Sequence, residues 1–156
     1  MKKLTDEMIL SAQKSWADGI LKIGNAFRNG DDYRSLAEEF INNHYGYREG
    51  VVLFKPTLAS IEQFRETFEK ALSYFISGNP KYPEDQGFAI KHWVNIKFEN
   101  TGIMVMGHRA VAMGNYYFTD DTQNTTKVEY TFGYFINGAG EIKINLHHSS
   151  IPYSKT

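Results

Sequence analysis

The hydrophobic spacing of this chain changes once, at Gly87, and that change restricts the fold more than any other feature. Before Gly87 apolar residues recur every three or four positions; after it they alternate. From Thr5 the apolar positions are Ile9, Ala12, Trp16, Ile20, Ile23 and Phe27, one face of a helix. Thr5 is placed to cap it, Asp6 and Glu7 suit the positive end of its dipole, and Asn29-Gly30 stops it. A second helix is predicted over 31–44, with Tyr33, Leu36, Ala37, Phe40 and Ile41 turned inward. Val51–Phe54 reads as a short strand that Pro56 ends. Ser60-Ile61-Glu62-Gln63 has the capping-box pattern and predicts a third helix, its inner face made by Ile61, Phe64, Phe68, Leu72 and Phe75.

Beyond Gly87 the alternation predicts a strand over 88–98. It places Phe88, Ile90, His92, Val94, Ile96 and Phe98 on one face, and Lys91, Trp93, Asn95 and Lys97 on the other. Asn100-Thr101-Gly102 reads as a hairpin turn into a long strand over 103–119, with Gly107 and Gly114 marking bends. Two more strands follow, over 127–136 and from Ile142 to Pro152, joined by the turn Asn137-Gly138-Ala139-Gly140. Helices first and strands last give an α+β fold, in which N-terminal helices pack on a curved antiparallel sheet as a cone open at one end. A chain of 156 residues is expected to form one domain over 1–156, with enough core to need no staple.

A net charge of −1 argues against nucleic-acid binding and leaves self-association almost unopposed. The absence of cysteine removes disulfides, thiolate catalysis and cysteine metal sites. Met1-Lys2-Lys3 runs into Thr5-Asp6-Glu7 rather than an apolar core, so no signal peptide is read. No apolar run is long enough to span a bilayer. A cytoplasmic protein with no membrane partner is expected.

The last strand, Ile142–Pro152, carries the best chemical clue. One of His147 and His148 is expected to face inward, and the sequence does not decide which; with strict alternation His148 shares a face with Ile142, Ile144 and Leu146, faces the helices and is the candidate acid or base, while His147 faces away. Asn115 and Tyr117 share a face with Met113, Val111 and Arg109, and suit the orientation of a ligand in an apolar wall. His92 lies on an apolar face, where a satisfied core histidine is the commoner role. Glu84 and Asp85 read as a solvated loop. Trp93, with Tyr116 and Phe118 on an outer sheet face, reads as an interface. Tyr45 and Tyr47 either line a pocket mouth or close the core. No histidine-glutamate motif or acidic ligand set is present, so neither a metal nor another cofactor is expected.

Three places carry a family resemblance: Trp16 in the first helix with Phe40 and Tyr45 before a turn, the strand Ala110–Phe118, and the ending Ile144-Asn145-Leu146-His147-His148-Ser149-Ser150. In these and in element order the chain resembles the nuclear-transport-factor-2-like, or SnoaL-like, superfamily. Within it, the chain resembles the association domain of calcium/calmodulin-dependent protein kinase II and its stand-alone bacterial relatives. The resemblance implies a cone with a deep pocket, a homodimer formed through the sheet, and in the kinase branch a larger ring. It also implies either cofactor-free enzymes, such as isomerases and dehydratases, or modules that only bind or assemble. The kinase domain lines its cavity with arginines. Asn115 and Tyr117 stand here instead, so different cavity chemistry is expected.

The resulting expectation is a homo-oligomer that binds a small organic molecule in an apolar pocket lined by Trp16, Tyr45, Phe64, His92 and Met113. His148 would act as acid or base, and Tyr117 or Asn115 would stabilise negative charge, in isomerisation or dehydration. The alternative is an association module without activity.

Overall fold

The computed structural model describes residues 2–155. Its elements are α1 (Asp6–Asn29), α2 (Tyr33–His44), β1 (Leu53–Lys55), α3 (Phe68–Ile76), a 3-10 turn (Phe88–Ile90), β2 (Trp93–Met106), β3 (Arg109–Asp120), β4 (Thr125–Ile136) and β5 (Ile142–Ser150). The strands form one sheet in the order β1-β5-β4-β3-β2. All neighbours are antiparallel except β1, which runs parallel to β5. Helices pack on one face of this curved sheet, which is the expected α+β architecture.

α1 begins and ends as its sequence requires. The Thr5 hydroxyl accepts from the Met8 N–H, and Gly30 closes the helix at φ 75°, a left-handed conformation that glycine adopts without steric penalty. Ile9, Trp16, Ile20 and Ile23 of α1 are buried with Phe40 and Ile41 of α2. Against them the sheet places Ala110, Ala112, Tyr116, Phe118, Val128, Tyr130 and Phe132. The helix-facing small residues Ala110 and Ala112 of the sheet leave room for the bulky helix residues.

The third helix is shorter than its capping box predicts. It starts at Phe68, and Thr67 is the cap, its hydroxyl accepting from the Lys70 N–H. Residues 56–66 form a loop instead. The Glu84 carboxylate accepts from the N–H groups of Ser60, Ile61 and Glu62, so these amides are satisfied without a helix. Ile61 and Phe64, read as helix core, are 80% and 62% exposed.

The first long strand also differs. Phe88–Ile90 wind into the 3-10 turn, and a bulge separates Trp93 from Asn95. The phase shift exchanges the predicted faces only before the bulge, while Ile96 and Phe98 beyond it stay inward as expected. Trp93 is buried, its indole N–H donating to the Phe88 carbonyl at 2.8 Å, while Val94 is 46% exposed. Trp93, Tyr116 and Phe118 are thus core residues rather than an interface.

Asn100-Thr101-Gly102 is a bulge inside β2 and not a turn. Gly114 faces it across the ladder, and any side chain there would run into the Glu99 carbonyl and Asn100 backbone. The hairpin turns at Gly107-His108 instead, with Gly107 at φ 65°.

Candidate active site

β5 pairs Ile144 with Tyr134 but Leu146 with Gly133, so Asn145 is an extra residue opposite no partner. A bulge of this kind exchanges the faces on its far side. His147 and Ser149 point into the core at 2% and 1% exposure, and His148 points out. The expectation that His148 faces the helices and His147 the outside is therefore corrected. A side chain at position 133 would press on the Leu146 Cβ at 2.7 Å, so Gly133 gives the bulge its room.

Around His147 a chain of polar groups crosses the interior. Trp16 of α1 donates its indole N–H to the Tyr45 hydroxyl at 3.1 Å. That hydroxyl lies 2.8 Å from His147 Nδ1. His147 Nε2 lies 3.1 Å from the Tyr116 hydroxyl of β3. Tyr116 is 2.6 Å from Ser149 Oγ, and Ser149 Oγ is 2.6 Å from Thr57 Oγ1. Thr57 follows β1, whose parallel pairing with β5 sets Phe54 beside His147. The chain-end hydroxyl also lies beside Tyr74 of α3, whose oxygen accepts from the Leu58 N–H at 3.2 Å. The His147 ring is held between Phe132 and Phe54, with centroids 4.0 Å and 4.7 Å away and interplanar angles of 22° and 9°. Trp16 meets its edge at 87°.

Every group in this chain is held neutral. Burial pushes His147 well below its ordinary value of 6.5, and the neighbouring charge of His148 adds to that. Burial raises Tyr45, Tyr74 and Tyr116 above the ordinary tyrosine range. The flanking phenyl faces favour an imidazolium by about 2 kcal/mol. That is less than the several kcal/mol lost on burying an unpaired ion. The buried carboxylate Asp85 is bound to Arg65, at 2.8 Å and 2.7 Å, and to Ser73. Arg65 lies 5.7 Å from the Tyr74 ring centre. Glu84 and Asp85, read as a solvated loop, are thus built into the wall behind Tyr74. A recess of roughly 210 Å³, lined by Leu58, Tyr74, Gln86, Phe88 and Lys91 among others, opens against the Tyr74 side.

Among the sequence-predicted residues the structure brings Trp16 and Tyr45 into this chain. It does not bring the others. Met113 and Asn115 face outward with His148, lining a shallow outer groove with Glu129, Thr131 and Ser150. Tyr117, also outward, reaches Glu99 at 3.4 Å. His92 is exposed and pairs with Asp121 at 3.4 Å. Phe64 is largely exposed and lines a surface recess with Leu53, Leu146 and His148 rather than joining the polar chain. Thr57, Tyr74, Tyr116, His147 and Ser149 are the residues that alternation alone missed. Among the described residues no three His, Asp or Glu side chains gather as a metal site.

Residues 7–151 match the family of metal-independent carbonic anhydrases. A metal-independent carbonic anhydrase of Nostoc sp. (strain PCC 7120) is 37% identical over 99% of this chain and 77% of its own length. The crystal structure of a cyanobacterial iota-carbonic anhydrase complexed with bicarbonate superposes with a TM-score of 0.95 at 36% identity, covering 98% of this chain and 95% of that one. A Xanthomonas campestris protein assigned as a calcium/calmodulin-dependent protein kinase II association domain matches at TM-score 0.57 and 18% identity, over 99% of this chain and 97% of that one, a likeness of fold alone. The resemblance read from the sequence therefore holds for the fold, while the specific kinship lies elsewhere: the chain belongs to the metal-independent carbonic anhydrase family.

Proposed function

We propose that this protein interconverts carbon dioxide and bicarbonate without a metal, at the cluster formed by Thr57, Tyr74, Tyr116, His147 and Ser149. The observation that supports this most is a line of hydroxyls in an apolar interior, backed by an uncharged imidazole. Such groups offer hydrogen bonds to the oxygens of a small planar substrate and cost little reorganisation as charge develops. The reading is narrower than the isomerisation or dehydration expected from the sequence. It replaces His148, Tyr117 and Asn115 by inward-facing residues.

In the hydration direction a water oxygen attacks the carbon of carbon dioxide, forming one C–O bond. The proton of that water passes to a hydroxyl oxygen of the cluster, and the hydroxyl's own proton passes to a carbon dioxide oxygen. The product is carbonic acid, which ionises to bicarbonate and releases its proton to solvent. No group in the site gains net charge, which suits a place where burial keeps every member neutral. The recess beside Tyr74 is the proposed way in, with Lys91 at its wall as an attraction for the anion.

Loss of 18O from labelled carbon dioxide, followed by mass spectrometry in chelator-treated buffer, tests the activity. The purified protein is expected to speed the loss. Ser149→Ala and Thr57→Val are each expected to slow it by about 100-fold or more, the usual cost of removing a donor from such a site. A purified, folded protein that leaves the exchange at the buffer rate would remove this reading.

A second copy of the chain is the proposed partner. The outer sheet face leaves Met104, Met106 and Met113 more than half exposed and offers it an apolar surface. Sedimentation velocity over a range of concentrations distinguishes dimer from monomer.

A further inference from the structure

We propose that Trp16, whose indole N–H donates to the Tyr45 hydroxyl, fixes the His147 tautomer and with it the direction of every hydrogen bond out to Thr57. The tautomer assignment stands on geometry alone. Its catalytic consequence rests on the carbonic anhydrase reading above.

What each group is able to donate sets the direction of the chain. An indole nitrogen donates and never accepts. Tyr45 therefore accepts from Trp16 at 3.1 Å. The Tyr45 hydroxyl has one proton, its oxygen is enclosed, and its other partner is His147 Nδ1 at 2.8 Å. If Nδ1 carried a proton, Tyr45 would accept twice and its own proton would be buried without an acceptor, which costs about 1–3 kcal/mol. So Tyr45 donates and Nδ1 is bare. A neutral imidazole then carries its proton on Nε2, which donates to Tyr116. Tyr116, having accepted, donates to Ser149, and Ser149 donates to Thr57. The chain leaves the Thr57 proton as the one that no upstream member takes. That proton is left for the Tyr74 oxygen beside it or for a substrate, so one indole at the far end of the interior orients the hydroxyls that a substrate meets. His147 serves as a fixed donor that strengthens the Tyr116 hydrogen bond rather than as a base that stores a proton.

The ring nitrogens of His147 report this directly. In 15N-labelled protein near pH 7.5, long-range proton–nitrogen correlation spectra should show Nε2 protonated and Nδ1 bare. Replacing Trp16 by benzothienylalanine keeps the shape and removes the N–H, and Trp16→Phe removes it more coarsely. Either change should let the Nδ1–H form appear, and should lower kcat by about 10–100-fold with a smaller change in KM, the range commanded by outer partners of functional histidines. A wild-type His147 protonated on Nδ1 would overturn the proposal, whatever the variants do. So would a folded benzothienylalanine protein whose tautomer is unchanged. If the tautomer responds as expected but the wild type does not catalyse 18O exchange, the carbonic anhydrase reading fails and the assignment of Trp16 stands.

Discussion

His147 and His148 are neighbours in sequence and face opposite environments. The inner ring is stacked between two phenyl rings and bonded at both nitrogens. The outer one lines an open groove. His147→Gln is therefore expected to remove most of the activity and to cost roughly 2–4 kcal/mol of stability, because it breaks two buried hydrogen bonds and a packed stack. His148→Ala should alter neither by more than about 0.5 kcal/mol in unfolding experiments or about twofold in rate. Equal losses in the two variants would contradict the assignment of faces. At this scale the sequence was partly legible. Trp16 lies on the inner stripe of a helix whose periodicity is plain, and Tyr45 ends the next one. Thr57 and Tyr74 carry no such signal, because what makes them part of a site is a loop held by the distant Glu84 and Arg65–Asp85 groups.

At the scale of the element, the hidden fact is the bulge at Asn145. If Asn145 is struck from the sequence, simple alternation places Ile142, Ile144, His147 and Ser149 together on the inner face. The pattern was thus present but out of phase by one residue. The same holds for β2, where a 3-10 turn and a bulge moved Trp93 inward. Periodicity identifies strands well and cannot see single-residue slips, which depend on the partner strand, here on the space left by Gly133. A deletion of Asn145 should consequently leave a regular ladder with the same faces. Its expected cost is about 1–3 kcal/mol, with the His147 ring still buried. Deleting His148 instead should turn Ser149 outward and abolish exchange. Thermal unfolding with the 18O assay on both deletions checks this, and a collapse of the Asn145 deletion with survival of the other would refute it.

For the whole molecule, acid is the weak side. His44 lies against Lys143, and burial first and that charge second lower its pKa from 6.5 to about 4. His147 is lowered as well, by burial first. Both folded values lie below the unfolded ones, so the unfolded chain binds protons that the native state refuses. Their contribution is complete above about pH 6.5 and is lost as pH falls. His44 alone accounts for a loss of up to about 3 kcal/mol between pH 6.5 and 4, and His147 extends the decline. Urea unfolding at pH 7.5 and 5 should show the lower stability at pH 5, and a flat profile would count against the buried neutral histidines. The parallel pairing of β1 with β5 has a different consequence, for synthesis. It joins Phe54 to His147 across most of the chain. During translation the helices and β1 emerge first, with a large aromatic surface and no β5 to cover it. The nascent protein therefore stays sticky until β5 has left the ribosome, and expression yield should respond to chaperone supply and to slowed translation of the β5 codons.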